Sequence, residues 1–127
     1  MAVLLRVPEV EDPDFIAELS YVEGATLRLS GSADKTSTTA LARLFAMLHD
    51  ELRQRAARAL VIDLHDCDYM AVPCFRQLLA WVEAVQELAP DERYKLRLRG
   101  NNGLAWQAHS LAALACFDTE LITVELR

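Results

Sequence analysis

No apolar run in this 127-residue chain approaches the roughly 20 residues needed to span a bilayer, because charges interrupt every candidate segment. The opening MAVLLRVPEVEDPD holds a short apolar stretch, but it turns acidic at once and has neither a basic flank nor a small-residue cleavage site. A soluble, cytoplasmic protein without membrane insertion is the expectation. A basic excess is missing too. The net charge is −6 and the pI near 5.0, so a nucleic-acid surface would have to be built against the overall field, and no nucleic-acid partner is expected. Cysteine is scarce: Cys67, Cys74 and Cys116 are an odd number with no export signal, which favours reduced thiols over a disulfide framework. Internal repeats, low-complexity tracts and linkers are absent. With 53% hydrophobic and 25% charged residues, what remains is a globular chain the size of one domain.

What is present is an alternation of strand and helix patterns. FIAELSYV at 15–22 and ATLRL at 25–29 lean towards β structure, and Glu23-Gly24 between them suits a two-residue hairpin turn. SGSADKTSTT then reads as a loop ending in a helix N-cap at Thr36 or Ser37. From Thr38, Leu41, Leu44, Phe45, Leu48 and Leu52 keep the three-and-four spacing of one helix face. ALVIDL at 59–64 reads as a central strand covered on both faces. A second helix carries Phe75, Leu78, Leu79, Val82 and Val85 on one side and stops before Pro90. YKLRLRG at 94–100 alternates apolar and basic residues, predicting a strand with one face buried. GLAWQAHSLAALACF predicts a third helix with Leu104, Ala108, Leu111, Leu114 and Ala115 inward, and TELITVEL closes the chain as a strand. The order ββαβαβαβ, with one more strand expected around residues 2–7, implies an α/β domain on a mixed, mainly parallel sheet with an N-terminal hairpin and about three major helices.

This order and three local anchors resemble the STAS domain of bacterial anti-sigma factor antagonists, stressosome proteins and the ends of sulfate-type transporters. LRLSGSAD is similar to the family's strand and Gly-x-x-Asp loop. LVIDLHDCDYMAVPCFRQLLAWV is similar to its central strand, connecting loop and second helix, and LAALACFD to its Leu-rich third helix. The similarity covers about residues 15–126, leaving residues 1–14 as an N-terminal extension or extra strand and 15–127 as the STAS-like domain. Without gaps, the family's Asp-Ser-Ser-Gly signature falls on Ala71, Val72, Pro73 and Cys74, and none of the four matches. In antagonists of the family, one signature serine is phosphorylated by a kinase that is also the anti-sigma factor. Val72 and Pro73 have no hydroxyl, so that switch cannot operate at this position. Proline in the first helical turn is structurally sound, since its missing N–H would be unpaired there, and it pushes Val72 towards an extended backbone. Cys74 and Cys116 both stand where the family pattern has glycine.

The resemblance implies a non-enzymatic protein-interaction module of a bacterial regulatory or scaffolding system, without cofactor or metal. Its partner would be an anti-sigma factor, a kinase-like protein or a stressosome-type assembly, and homodimerisation is compatible with it. Asp34 matches the family's loop aspartate, so the expected contact set is Asp34, Lys35, Thr36 and Ser37 on the loop with Val72, Pro73, Cys74, Arg76, Gln77 and Trp81 on the second helix. Other readings of these residues stand beside it. Thr36 or Ser37 is explained by capping alone. Cys74, in the first turn of a helix, has the position of a thiol lowered by the helix dipole, against the plain reading of a packed cysteine. HDCDY at 65–69 groups two carboxylates, a histidine and a thiol, yet no second ligand pair at zinc spacing exists, and loop polarity explains it. Trp81 and Trp106 are either interface aromatics or covers of the core edge. Lys95, Arg97 and Arg99 either bind an anion or pair with acidic neighbours. The alternative function is a small-ligand sensor with a pocket between the hairpin and the second helix. A thiol enzyme is the third reading.

Overall fold

A computed structural model of the chain describes residues 4–6, 14–21 and 24–127. Its elements in order are β1 (Leu4–Arg6), β2 (Phe15–Ser20), β3 (Ala25–Ala33), α1 (Thr38–Gln54), β4 (Ala59–Asp63), β5 (Cys67–Met70), α2 (Val72–Gln86), β6 (Lys95–Gly100), α3 (Ala105–Ala115) and β7 (Ile122–Leu126), with one 3-10 turn at Lys35–Ser37. The fold is α/β. Six strands of one mixed, mostly parallel sheet run in the order β1-β2-β3-β4-β6-β7, and β5 pairs with β3. The β1–β2 and β2–β3 pairs are antiparallel and the other pairs parallel. The expected hairpin is β2–β3, with β2 ending at Ser20; Glu23 of its expected turn lies outside the described residues.

Strict alternation decides which side of the sheet is covered. Leu27 and Leu29 of β3, Leu60 and Ile62 of β4, and Leu96 and Leu98 of β6 all point to one side and join a single core with Leu41, Leu44, Leu48 and Leu52 of α1, Val82 and Val85 of α2, and Leu111 and Leu114 of α3. Each such side chain contributes about 1.5–3 kcal/mol on burial. The residues between them, such as Arg28, Val61, Lys95 and Arg97, are exposed or only part-buried, so the three helices share one face and the other stays open. The expectation that β4 is covered on both faces is therefore corrected: its burial alternates like that of its neighbours. On the open face the register lines up Glu18, Arg28, Asp63, Arg99 and Glu125 across β2, β3, β4, β6 and β7. Signs alternate along this row, so unlike charges lie on neighbouring strands.

Two further differences from the sequence reading matter for the site. HDCDY is not simply a surface connection, because its second half is β5. Gly31↔Cys67, Ser32↔Tyr69 and Ala33↔Met70 pair in parallel, continuing β3 beyond the stretch that β4 covers, with a register shift at Gly31/Ser32. Cys67 and Met70 are buried as a result, while Asp68 and Tyr69 stay exposed. The buried stripe of α2 is also rotated. It runs through Cys74, Leu78, Trp81, Val82 and Val85, with Phe75 and Leu79 only part-buried, because α2 packs against α1 as well as the sheet.

Candidate functional site

The loop after β3 is held by its own side chains. Asp34 is extended and its carboxylate accepts from the Thr36 amide at 2.8 Å and from the Thr36 hydroxyl. These bonds, the hydroxyl first, keep the Asp34 carboxyl below its ordinary range. Thr38 closes the turn by donating its hydroxyl to the Lys35 carbonyl at 2.8 Å. The expected cap at Thr36 or Ser37 is therefore relocated. Ser37 occupies the N-cap position of α1 without a side-chain cap bond and is nearly buried, and Asp34 caps the preceding 3-10 turn instead. A carboxylate two residues ahead is a stronger acceptor for that amide than a hydroxyl.

The start of α2 is stitched to this loop. The Ala71 amide donates to the Ala33 carbonyl at 2.7 Å. The Cys74 thiol, fully buried, donates to the Asp34 carbonyl at 3.1 Å and lies 3.5 Å from the Thr38 hydroxyl. Ala71 is the extended N-cap and Pro73 lies in the first turn, where it costs no hydrogen bond. Of the two readings of Cys74, the packed thiol is the one the fold adopts. Burial disfavours the thiolate and pushes the group up, outweighing the bond from Thr38. Cys67 is pushed up to about 12, again by burial. Cys116 alone among the three cysteines is exposed. A thiol titration is expected to find one rapidly reacting cysteine, Cys116, in the native protein and all three in denaturant; peptide mapping that showed Cys74 labelled natively would contradict this burial.

With the loop and turn locked, a specific set of side chains faces outward. Lys35, Thr36, Pro73 and Arg76 are exposed, Gln77 is part-buried, and Val72 keeps 63% of its surface. Tyr69, at 52% exposure on β5, is a surface apolar residue that the sequence reading passed over. In the sequence it belongs to a four-residue run, CDYM, too short to mark a strand. Trp81 is corrected from contact residue to core: it is 3% exposed and stacks on Phe45 with ring centroids 4.6 Å apart. Trp106 is part-buried against the core, and its indole N–H has no acceptor among the described residues.

Trp81 also ends a buried hydrogen-bond chain. Its Nε1–H donates to the Tyr94 hydroxyl at 2.7 Å, and that hydroxyl lies 2.6 Å from His49 Nδ1. Trp can only donate, so all three groups are satisfied when Tyr94 donates to an unprotonated Nδ1. Burial first, then Arg53, pushes the His49 imidazole below its ordinary value, while Asp50 opposes the shift. The unfolded chain therefore takes up a proton before the folded one does. This contribution to stability is fully present above about pH 6.5 and is lost as pH falls from there through the lower folded value. Urea midpoints are expected to decline between about pH 7 and 5, and His49→Asn, which keeps an acceptor but does not titrate, is expected to flatten that decline.

The remaining candidates do not converge. His65 pairs with Asp66 at 3.2 Å, Asp66 also pairs with Arg28, and the Asp63 carboxylate accepts from the His65 amide at 3.0 Å. Among the described residues no three of His, Cys, Asp and Glu gather as metal ligands, and no helix is long and apolar enough to cross a membrane. A cleft of about 230 Å³ lies between α1 and α2 rather than beside the hairpin, with Phe45, His49, Gln77 and Trp81 among its walls. No protein-family model, curated protein or solved structure matches this chain.

Proposed function

We propose that the chain is a divergent STAS-like, non-enzymatic module that binds another protein in a bacterial regulatory or scaffolding system. The contact surface is the outward set Asp34, Lys35, Thr36, Tyr69, Val72, Pro73 and Arg76, while the buried Ser37 and Cys74 lie beneath it. The observation that carries this reading is apolar exposure on a locked frame. Val72 and Tyr69 stand in solvent beside a turn whose backbone is tied to the loop by Ala71 and Cys74, so little ordering entropy remains to be lost on docking. Without a hydroxyl at Val72 or Pro73, binding is constitutive or is regulated on the partner.

Affinity capture from native lysate tests the reading by comparison of variants. Val72→Asp is expected to weaken capture of the partner by about thirty-fold, the effect of losing a contact worth about 2 kcal/mol. Met47→Asp, at an exposed apolar residue on α1, is expected to leave capture unchanged. Equal capture by the wild type and Val72→Asp would remove the proposed surface.

A second reading, a small-ligand sensor, is favoured by the cleft between α1 and α2. Its volume falls below the roughly 300–1,000 Å³ of typical ligand pockets, which ranks it behind protein binding. Stabilisation by one ligand class in a thermal-shift screen would raise it.

A further inference from the structure

The open face of the sheet separates the three basic residues of β6. All three project from the open face, but Arg99 stands in the alternating row beside Asp63 and Glu125, whereas Lys95 and Arg97 lie nearer the start of the strand. There they meet Arg58, whose carbonyl accepts from the Lys95 amide at 2.9 Å, together with Arg53 from the last turn of α1 and Arg93 from the segment before β6. The five cations line a concavity of about 840 Å³, with Asp91 and Glu92 as its carboxylates. Among the described residues, Arg53, Arg58 and Arg97 make no salt bridge.

Two of the cations are fixed without being neutralised. Arg93 donates Nε to the Leu88 carbonyl at 3.1 Å and Nη2 to the Gln86 carbonyl at 2.7 Å, and Lys95 donates Nζ to the Glu120 carbonyl at 2.5 Å. A guanidinium has five N–H donors and an ammonium three, so each keeps donors to spare and its full charge. An excess of cations in one concavity of a chain with net charge −6 sets up a local field opposite to the global one.

We propose that this concavity binds a small ligand carrying two or more phosphates. One anionic charge on exposed cations contributes little, whereas adjacent phosphates engage Arg53, Arg58 and Arg97 together and accept bidentate guanidinium bonds. The volume suits a small molecule, and the overall negative charge disfavours a nucleic-acid strand. The site is independent of the surface around Val72.

Calorimetric titration of the full chain with inorganic tripolyphosphate, and separately with ATP, tests the assignment. Tripolyphosphate is expected to bind, more weakly as salt rises, and the double variant Arg58→Gln with Arg97→Gln is expected to lose about ten-fold or more in affinity. Arg53→Gln supplies a separate loss from a different element. The pair Arg43→Gln and Arg127→Gln removes the same charge elsewhere and is expected to change affinity less than about two-fold. Absence of binding, or equal losses in the two double variants, overturns the proposal. So does binding to phosphatidylserine vesicles without any response to tripolyphosphate, which would assign the patch to a membrane surface.

Discussion

Gly31→Ala is expected to destabilise the protein by about 3 kcal/mol or more, lowering the urea midpoint with an unchanged slope and the melting temperature by about 10 °C. Gly31 sits at φ +91°, where a Cβ costs about 1–2 kcal/mol in itself. A Cβ there would also lie 1.9 Å from the Asp14 carbonyl oxygen and 2.9 Å from its carbon, so backbone would have to move. Those atoms are committed, because the Asp14 carbonyl accepts from the Ser32 amide at 2.7 Å and the Gly31 amide donates to the Asp66 carbonyl at 2.9 Å. This is the point where the β3–β5 register shifts, so the strain is delivered to the frame of the candidate site. Gly24 supplies the control. It has φ +87° but nothing within 4 Å of an added Cβ, and Gly24→Ala is expected to cost only about 1 kcal/mol. Similar losses at both glycines would mean that the close approach of Asp14 is not limiting.

Gln107→Leu has the second large effect, about 3–5 kcal/mol, although it places an apolar side chain in a fully buried position. The Gln107 amide donates to the Leu64 carbonyl at 2.6 Å and the Cys67 carbonyl at 3.0 Å, and its oxygen accepts from the Asn101 amide at 2.7 Å. It thereby joins the segments following β4 and β6 to the start of β5. Leucine takes the Gln107 bond from the Asn101 amide and the Cys67 carbonyl, each at a cost of about 1–3 kcal/mol, while the Leu64 carbonyl loses one donor but keeps the Cys67 amide at 3.0 Å. Hydrogen exchange at the Asn101 amide is expected to speed up in the variant in step with the loss of stability. Unchanged protection at Asn101 would show that this bond does not carry the effect.

Long, periodic elements were legible in the residues. The three-and-four spacing from Leu41 to Leu52 and the alternation in KLRLR became α1 and β6 with the expected faces buried. Short or polar elements of the core were not. Four residues of β5 are too few for a period, and they form a strand because the pairing with β4 stops at Arg28, leaving the end of β3 open to a new neighbour. Gln107 reads as polar, hence exterior, until the carbonyls it serves arrive from 40 and 43 residues away. Trp81, at the margin of a helical wheel, went inside because Phe45 and Tyr94 close over it.

The sequence by itself determined the order of elements and the absence of a hydroxyl at Val72 and Pro73, since spacing along the chain and covalent composition do not depend on what folds against them. Only the tertiary structure decided which residues face solvent. Burial is set by elements distant in the chain, and it turned Cys74 and Trp81 inward, raised the Cys74 thiol against the helix dipole, and left Tyr69 and Val72 in solvent beside a loop tied down by Asp34 and Cys74.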